Sequence, residues 1–148
     1  MSDNTAVRIA SVEPKDNYTL QLKWQSGRRL PANLAEPIHR LKGLRPLRDP
    51  AMFARVEVGE GGHSVVWPGD LEFGAGRLWQ LALEQNGRAD AAEFINWRWR
   101  HGLSLSAAGD ALGISRRQVA YYASGEEPVP RYILLACKGW EAQHDDAA

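Results

Sequence analysis

Apolar and polar residues alternate in two segments near the start of the chain. They are residues 7–12 (VRIASV) and residues 18–24 (YTLQLKW). An alternation with a period of two is typical of half-buried β-strands. Lys15-Asp16-Asn17 has the composition of a turn, and Ser26-Gly27 is expected to end the second strand. The pattern predicts two neighbouring strands, followed by a short extended piece around Leu30.

The middle of the chain predicts two short helices and a hairpin. Residues 36–41 predict one helix, and Asp49-Pro50 begins another because the Asp49 carboxylate can cap the exposed amides. Residues 55–58 and 64–67 flank a glycine-rich stretch, Gly59-Glu60-Gly61-Gly62, which predicts a hairpin.

Helical periodicity begins after Pro68-Gly69. Apolar residues recur at helical spacing between Gly76 and Asn86, and Asn86-Gly87 is a helix-stop signal. The fold class expected is therefore α+β, a small β-sheet domain with short helices in residues 1–87, followed by an all-α domain in residues 88–148.

Capping residues divide the last third of the chain into helices. Ser104 is placed to cap one helix that Gly113 ends, and Ser115 is placed to cap the next. The connection Gly113-Ile114-Ser115 between them is short enough to form a helix-turn-helix. Four helices are expected, at residues 91–100, 105–112, 116–123 and 131–140.

The composition is that of a globular protein. Hydrophobic residues make up 44% and charged residues 24%, which excludes a disordered chain. No apolar run approaches the roughly 20 residues that span a bilayer. The polar start Met1-Ser2-Asp3-Asn4 lacks a signal pattern, so we expect a cytoplasmic location and no membrane partner. The single cysteine, Cys137, has apolar neighbours, which favours a buried inert thiol over a nucleophile.

The charges balance in both halves of the chain. There are 11 basic and 10 acidic residues before residue 87, and 7 basic and 8 acidic residues after it. Neither half has the positive excess of a strong non-specific nucleic-acid binder. Within the second half, however, Arg116 and Arg117 precede the acidic residues Glu126 and Glu127. Any binding of a polyanion there is expected to be modest and sensitive to salt.

The first region resembles a known family. Leu47-Arg48-Asp49-Pro50, Phe53, the glycine-rich hairpin and the segment 66–71 (VWPGDL) together resemble domain of unknown function 2442, over roughly residues 6–83. The resemblance implies a β-sheet with short helices and no established chemistry. Members are sometimes encoded beside a partner in toxin–antitoxin-like pairs, so it also implies a toxin-like protein partner or self-association.

The helical region resembles a second family. Residues 103–115 (LSLSAAGDALGIS), followed by Val119, Tyr122 and Gly125, resemble the lambda-repressor-like (Xre) helix-turn-helix family, over about residues 90–142. The resemblance implies a double-stranded DNA partner, with the third helix in the major groove. Since Val119 and Tyr122 would face the core, the side chains expected on the DNA side are those of Arg116, Arg117, Gln118, Ala120 and Tyr121.

Several of these side chains are of types that read DNA. Arginine can hold guanine through two hydrogen bonds, glutamine can hold adenine, and tyrosine can reach a phosphate or a thymine methyl group. Phosphate contacts are expected from Ser104, Ser106 and Ser124. Two alternatives stay open: a pair of arginines at the start of a helix is usually only a solvated face, and some modules of this fold bind protein.

The chain departs from the second family at three places. Leu105 stands where the family has a glutamine that supports the recognition helix, and Gly109 replaces an alanine at a cost of up to about 1 kcal/mol. Arg98 matches a first-helix arginine that the family pairs with a glutamate, but Ala123 stands at the glutamate position. These departures predict weak DNA binding or a need for dimerisation.

Other candidate sites are weaker. Trp97 and Trp99 point about 200° apart on a helix, so one of them faces an interface or is partly exposed. The basic run of residues 39–48 is a solvated loop or an extension of the phosphate contacts. The glycine-rich stretch lacks the lysine of a phosphate loop. The four histidines lack metal-ligand spacing and no nucleophile–base group stands out, so we expect no metal, no cofactor and no enzyme.

These patterns favour a sequence-specific DNA-binding protein of bacterial type. The expected role is transcriptional regulation, in an antitoxin-like setting, by a homodimer, because helix-turn-helix proteins usually read two half-sites. The alternative is a protein-interaction module whose helix-turn-helix no longer binds DNA.

Overall fold

The computed structural model describes residues 7–145. Contacts divide this range into two compact units, residues 7–86 and residues 87–145. The first unit contains the strands and the second is helical, so the expected α+β fold class is confirmed. Among the described helices, none combines the length and the apolar character that crossing a membrane would require.

Two three-stranded antiparallel sheets form the first unit. The first contains β1 (Ile9–Lys15), β2 (Thr19–Trp24) and β3 (Ala32–Asn33), in that order. The second sheet lies between residues 57 and 74, and its strands are β4 (Glu57–Val58), β5 (Ser64–Trp67) and β6 (Leu71–Gly74). Both predicted strand pairs are confirmed. Strand β6 was not expected, because the sequence indicates only a break at Pro68-Gly69. In the structure these residues lie in the turn of a second hairpin, which joins β5 to β6.

Three α-helices accompany the sheets. They are α1 (Ala35–Arg40), α2 (Pro50–Phe53) and α3 (Ala75–Gln85), as the sequence predicts to within two residues. The Asp49 Oδ1 atom accepts a hydrogen bond of 3.0 Å from the Ala51 amide, which confirms the predicted cap. Lys42–Arg48 forms an unexpected 3₁₀-helix. Its buried residues Leu44 and Leu47 are three apart, which matches the three residues per turn of this helix.

Strand β2 and helix α3 both contribute large side chains to the core of the first unit. Leu20, Leu22 and Trp24 alternate with more exposed residues along β2 and are at most 2% exposed, as the period of two predicts. The Trp24 ring meets the ring of Trp79, on α3, edge to face with centroids 4.9 Å apart. Burial of these large side chains fixes α3 on the sheet.

Four helices form the second unit. They are α4 (Ala89–Arg100), α5 (Leu105–Leu112), α6 (Arg116–Ser124) and α7 (Arg131–Asp145). The Ser104 Oγ atom accepts from the Ala107 amide and the Ser115 Oγ atom from the Gln118 amide, both at 3.0 Å. Both predicted caps are therefore confirmed. Gly113 ends α5 in the left-handed region at φ 72°, where glycine is unstrained.

A single apolar core joins the four helices. Its buried members are Phe94, Trp97, Leu105, Ala108, Val119, Tyr122, Val129, Ile133 and Cys137. Leu105 thus packs inside, where the resembled family carries a polar glutamine. Burial, with smaller effects from Glu93 and Glu141, raises the pKa of the Cys137 thiol to about 12, which agrees with an inert thiol.

The end of α4 has two tryptophans in different surroundings. Trp97 is 2% exposed and lies edge to face against Trp140 at 5.7 Å, whereas Trp99 is half-buried. Arg98 between them is also buried, and its Nη1 atom donates to the Leu103 carbonyl at 3.1 Å. The Leu103 amide donates back to the Arg98 carbonyl at 2.9 Å. Arg98 therefore fastens the connection between α4 and α5.

The turn between α5 and α6 passes unusually close to Gly109. The Ile114 amide donates to the Gly109 carbonyl at 2.9 Å. A Cβ atom at Gly109 would lie 2.7 Å from the Ile114 carbonyl oxygen, a distance that side chains do not tolerate. Glycine lowers the helix propensity at this position, but it also allows the turn at Ile114 to approach α5 closely.

Two glycine-to-alanine changes should have opposite effects on stability. Gly109→Ala should destabilise the helical unit by about 1–3 kcal/mol, because the turn must move away from the added methyl group. In α7, Gly139→Ala should stabilise it by about 0.5–1 kcal/mol, since its Cβ would meet open space. Chemical denaturation of both full-length variants measures the difference. Stabilisation by Gly109→Ala would contradict the steric argument.

Candidate functional site

Helix α6 exposes one face, which begins with two arginines. Arg116 and Arg117 are exposed, while Val119 and Tyr122 are buried in the core, as expected from the sequence. Tyr121 is half-buried and lies one turn beyond Arg117. The Arg117 Nε atom donates to the Tyr121 hydroxyl at 2.7 Å, and the guanidinium carbon lies 5.4 Å from the centre of the ring. The hydrogen bond and the ring contact hold the two side chains together on the exposed side of the helix.

Within the described part of the chain, no carboxylate neutralises the positive charge of Arg117. The ion pairs formed among residues 7–145 do not include this side chain. A phenol hydroxyl orients the guanidinium but leaves its charge and most of its donors available. An arginine in this condition can bind an anion or a planar acceptor group without first breaking a salt bridge.

Gln118 and Ala120 are both partly buried. Gln118 is half-buried, and its Nε2 atom donates to the Glu127 Oε2 atom at 3.2 Å. Ala120 packs against the helical core, so it does not belong to the outward face. Positions 117 and 121 lie in the middle of that face because Val119 and Tyr122 point the opposite way.

The three serines occupy different positions. Ser104 caps α5, so its oxygen already accepts a hydrogen bond. The Ser124 hydroxyl donates to the Tyr121 carbonyl at 3.2 Å and accepts from the Glu126 amide at 3.3 Å, which closes the end of α6. Ser106 is exposed on the first turn of α5. The hydroxyls of Ser104 and Ser124 thus stabilise helix ends, in addition to any contact with a ligand.

Charge is polarised along α6. Arg116 and Arg117 stand at the first turn, and the exposed residues Glu126 and Glu127 follow the last. The helix has nine residues, so about 13 Å separates its two ends. The helix dipole adds a partial positive charge to the end that carries the arginines. The first turn of α6 is therefore the electropositive end despite the neutral total charge.

A local ion pair at the start of α4 holds the distant loop that follows α6. The Arg88 Nε and Asp90 Oδ1 atoms are 3.2 Å apart, and Arg88 also donates to the carbonyls of Gly125 and Glu127. The Asp90 Oδ2 atom accepts from the Val129 amide at 2.7 Å. Burial opposes the charge of Asp90, but the hydrogen bonds from Arg88, Val129 and Ala91 outweigh it, so the pKa of this carboxyl is lowered.

A second polar cluster lies between α4 and α7. The Glu141 Oε2 atom is 2.8 Å from His101 Nε2 and also accepts from Arg100. The hydrogen bond from His101, helped by Arg100, lowers the pKa of Glu141. Ligand atoms of His101, Glu141 and Asp145 lie within 4.8 Å of one another. Sequence spacing did not indicate this group, because His101 directly follows α4 whereas Glu141 and Asp145 lie on α7, 40 or more residues later. Its carboxylate is already shared by two donors.

The chain thus combines a two-sheet α+β unit with a four-helix unit. The family described as "Protein of unknown function (DUF2442)" matches residues 9–83, and the chain belongs to this family. The resemblance seen in the first region of the sequence is therefore confirmed. No family of the helix-turn-helix class matches the C-terminal part.

Among solved structures, the chain is similar to the crystal structure of "Putative DNA Binding Protein NE0471" from Nitrosomonas europaea ATCC 19718. The two are 38% identical with a TM-score of 0.72, and the alignment covers 96% of this chain and 91% of the other. The likeness therefore spans both units. No curated protein matches the chain.

Removing the charge of Asp90 should destabilise the helical unit in a pH-dependent way. At neutral pH, Asp90→Asn should lower the free energy of unfolding by about 1–3 kcal/mol, since it breaks the Arg88 ion pair. A lowered pKa means that the carboxylate stabilises the fold above its unfolded-state pKa. This contribution is lost as the pH falls through the folded-state value.

Denaturation across pH tests this expectation. The difference between wild type and Asp90→Asn should shrink below about pH 4. Asp110→Asn, which changes an exposed carboxylate on α5, is the matched control and should alter stability by less than about 0.5 kcal/mol. A pH-independent loss in Asp90→Asn would argue against a role for the charge.

Proposed function

We propose that this protein binds double-stranded DNA through the exposed face at the start of α6. The observation that carries the proposal is the Arg117 guanidinium, which is oriented by Tyr121 on an electropositive helix end and forms no ion pair with a carboxylate of residues 7–145. Arginine held in this way suits the guanine edge in the major groove and the phosphate backbone equally.

The arrangement of α5 and α6 supports the same function. Two short capped helices are joined by the three residues 113–115, and the second helix begins with its polar side chains exposed. In a helix-turn-helix of the lambda-repressor-like class, the N-terminal part of the second helix enters the major groove. Arg116, Arg117 and Tyr121 would then face the DNA, with Gln118 at the margin.

The name of the similar protein from Nitrosomonas europaea agrees with this proposal, since that name refers to DNA binding. The finer proposal is that DNA binding serves transcriptional regulation. The balanced charge of the helical half predicts a modest affinity with a measurable but shallow salt dependence, because only a few phosphates can be neutralised at once. The first unit would then be available for a protein partner.

Removing both arginines should strongly weaken specific binding. A duplex is first selected from a random pool with the wild-type protein, and its affinity is measured by fluorescence anisotropy. Arg116→Ala plus Arg117→Ala should weaken binding at least tenfold, because each such contact contributes roughly 1–3 kcal/mol. The control is Arg8→Ala plus Arg55→Ala, which removes two exposed arginines from the first unit and should leave the affinity unchanged.

Salt dependence distinguishes DNA binding from the alternative of a protein-interaction module. DNA affinity should fall by about 0.9 log units per log unit of salt for each neutralised phosphate, whereas an apolar protein interface barely responds. Failure of the random pool to yield any enriched duplex would overturn the proposal. Equal loss in the two double variants would show that overall charge, rather than α6, is responsible.

The hydroxyl of Tyr121 should affect specificity rather than stability. Tyr121→Phe keeps the ring beneath the guanidinium but removes the hydrogen bond to Arg117. We expect the preference for the selected duplex over a scrambled duplex to fall several-fold, by about 0.5–1.5 kcal/mol, with an unchanged unfolding midpoint. Anisotropy with both duplexes measures this ratio. An unchanged ratio would indicate that Tyr121 does not position Arg117 for base contact.

A further inference from the structure

Helix α7 exposes an apolar stripe on the side away from the core. Ile133 and Cys137 face the core, whereas Tyr132 is 69% and Leu135 is 54% exposed. Gly139 and Ala142 continue the same stripe and are also exposed. Tyr132 and Leu135 are the large hydrophobic side chains that the described part of the chain leaves most exposed. Such a stripe along one helix face is characteristic of an interface.

Packing within the described fold does not require glycine at position 139. It lies in the interior of a 15-residue helix, where glycine destabilises relative to alanine. A Cβ atom there would meet nothing within 4 Å. A helical glycine on an exposed apolar stripe does, however, allow another backbone or a large side chain to approach closely.

Charge and size are both asymmetric along α7. Its arginine and its lysine, Arg131 and Lys138, precede the exposed carboxylate of Asp145, whereas Glu141 is already bound by Arg100 and His101. The large apolar side chains Tyr132 and Leu135 likewise precede the small residues of the stripe. A surface whose two halves are complementary in both respects fits a copy of itself in the antiparallel direction.

We propose that two copies of this chain associate through α7, packed antiparallel about a two-fold axis. The large residues Tyr132 and Leu135 of one copy lie over Gly139 and Ala142 of the other, and Arg131 lies near the opposing Asp145. The pairing is independent of DNA, and it supplies the second copy that a two-half-site DNA reader needs.

The dimer should be weak. A helix of 15 residues is about 22 Å long, and one face of it is smaller than the roughly 800 Å² per partner of a standard interface. Sedimentation equilibrium of the full chain without DNA, from micromolar to near-millimolar concentration, should therefore show a reversible rise in mass from 16.5 kDa to twice that value.

Gly139→Arg is the direct test of the interface. It should weaken association at least tenfold, because the long side chain blocks the close approach while the Cβ position remains open within the monomer. Gly43→Arg is the matched control: it makes the same change at an exposed glycine of the first unit whose Cβ also meets nothing, and association should be unchanged. A wild-type chain that stays monomeric throughout, or equal effects of the two variants, would overturn the proposal.

A charge exchange tests the antiparallel direction. Arg131→Glu and Asp145→Arg should each weaken association, and the double variant should restore it, because the opposite charges then face each other again. Each single change suits the helix dipole, so the helix itself should persist. Circular dichroism checks this. Additive weakening in the double variant would exclude the antiparallel arrangement.

These measurements also separate self-association from the proposed function. Loss of DNA binding in the α6 arginine variant with an intact dimer would leave the α7 proposal standing. A monomeric Gly139→Arg protein that still binds a single half-site would leave the DNA proposal standing.

Discussion

The anchoring of α6 by Val119 and Tyr122 determines what the helical unit can present to a partner. These two side chains are buried on one side of a nine-residue helix, so the helical period forces Arg117 and Tyr121 to the other side. The Ser115 cap fixes where the helix begins, and the left-handed Gly125 fixes where it ends. The exposed face is therefore a rigid consequence of core packing rather than a flexible loop.

Contacts that are distant in the sequence support this face. Arg88 and Asp90, at the start of α4, bind the loop after α6 through backbone carbonyls and an amide. The same loop carries Glu127, which accepts from Gln118. The position of a side chain at the margin of the candidate site thus depends on an ion pair about 30 residues earlier in the chain. Such hydrogen bonds to backbone groups leave no pattern in the sequence.

Local signals predicted most of the elements. The caps at Asp49, Ser104 and Ser115 could be located because a single side chain satisfies amides within its own turn. The 3₁₀-helix that buries Leu44 and Leu47 was not predicted, since the repeat of such a helix is too short to be distinguished from a loop. At Gly109, helix propensity predicts only a loss of stability. The compensating benefit is the space that glycine leaves for the turn at Ile114, five residues later, and helix propensity does not include such a contact. The i, i+4 spacing of Arg117 and Tyr121 could have indicated their contact.

The buried cysteine has one practical consequence. The Cys137 sulfur belongs to the core that α4, α5, α6 and α7 share, and its pKa of about 12 keeps it a thiol at neutral pH. Alkylating reagents react with the thiolate, so the folded protein should be inert toward them. The rate of alkylation then reports how often this core opens, which makes the natural sequence its own probe of local unfolding.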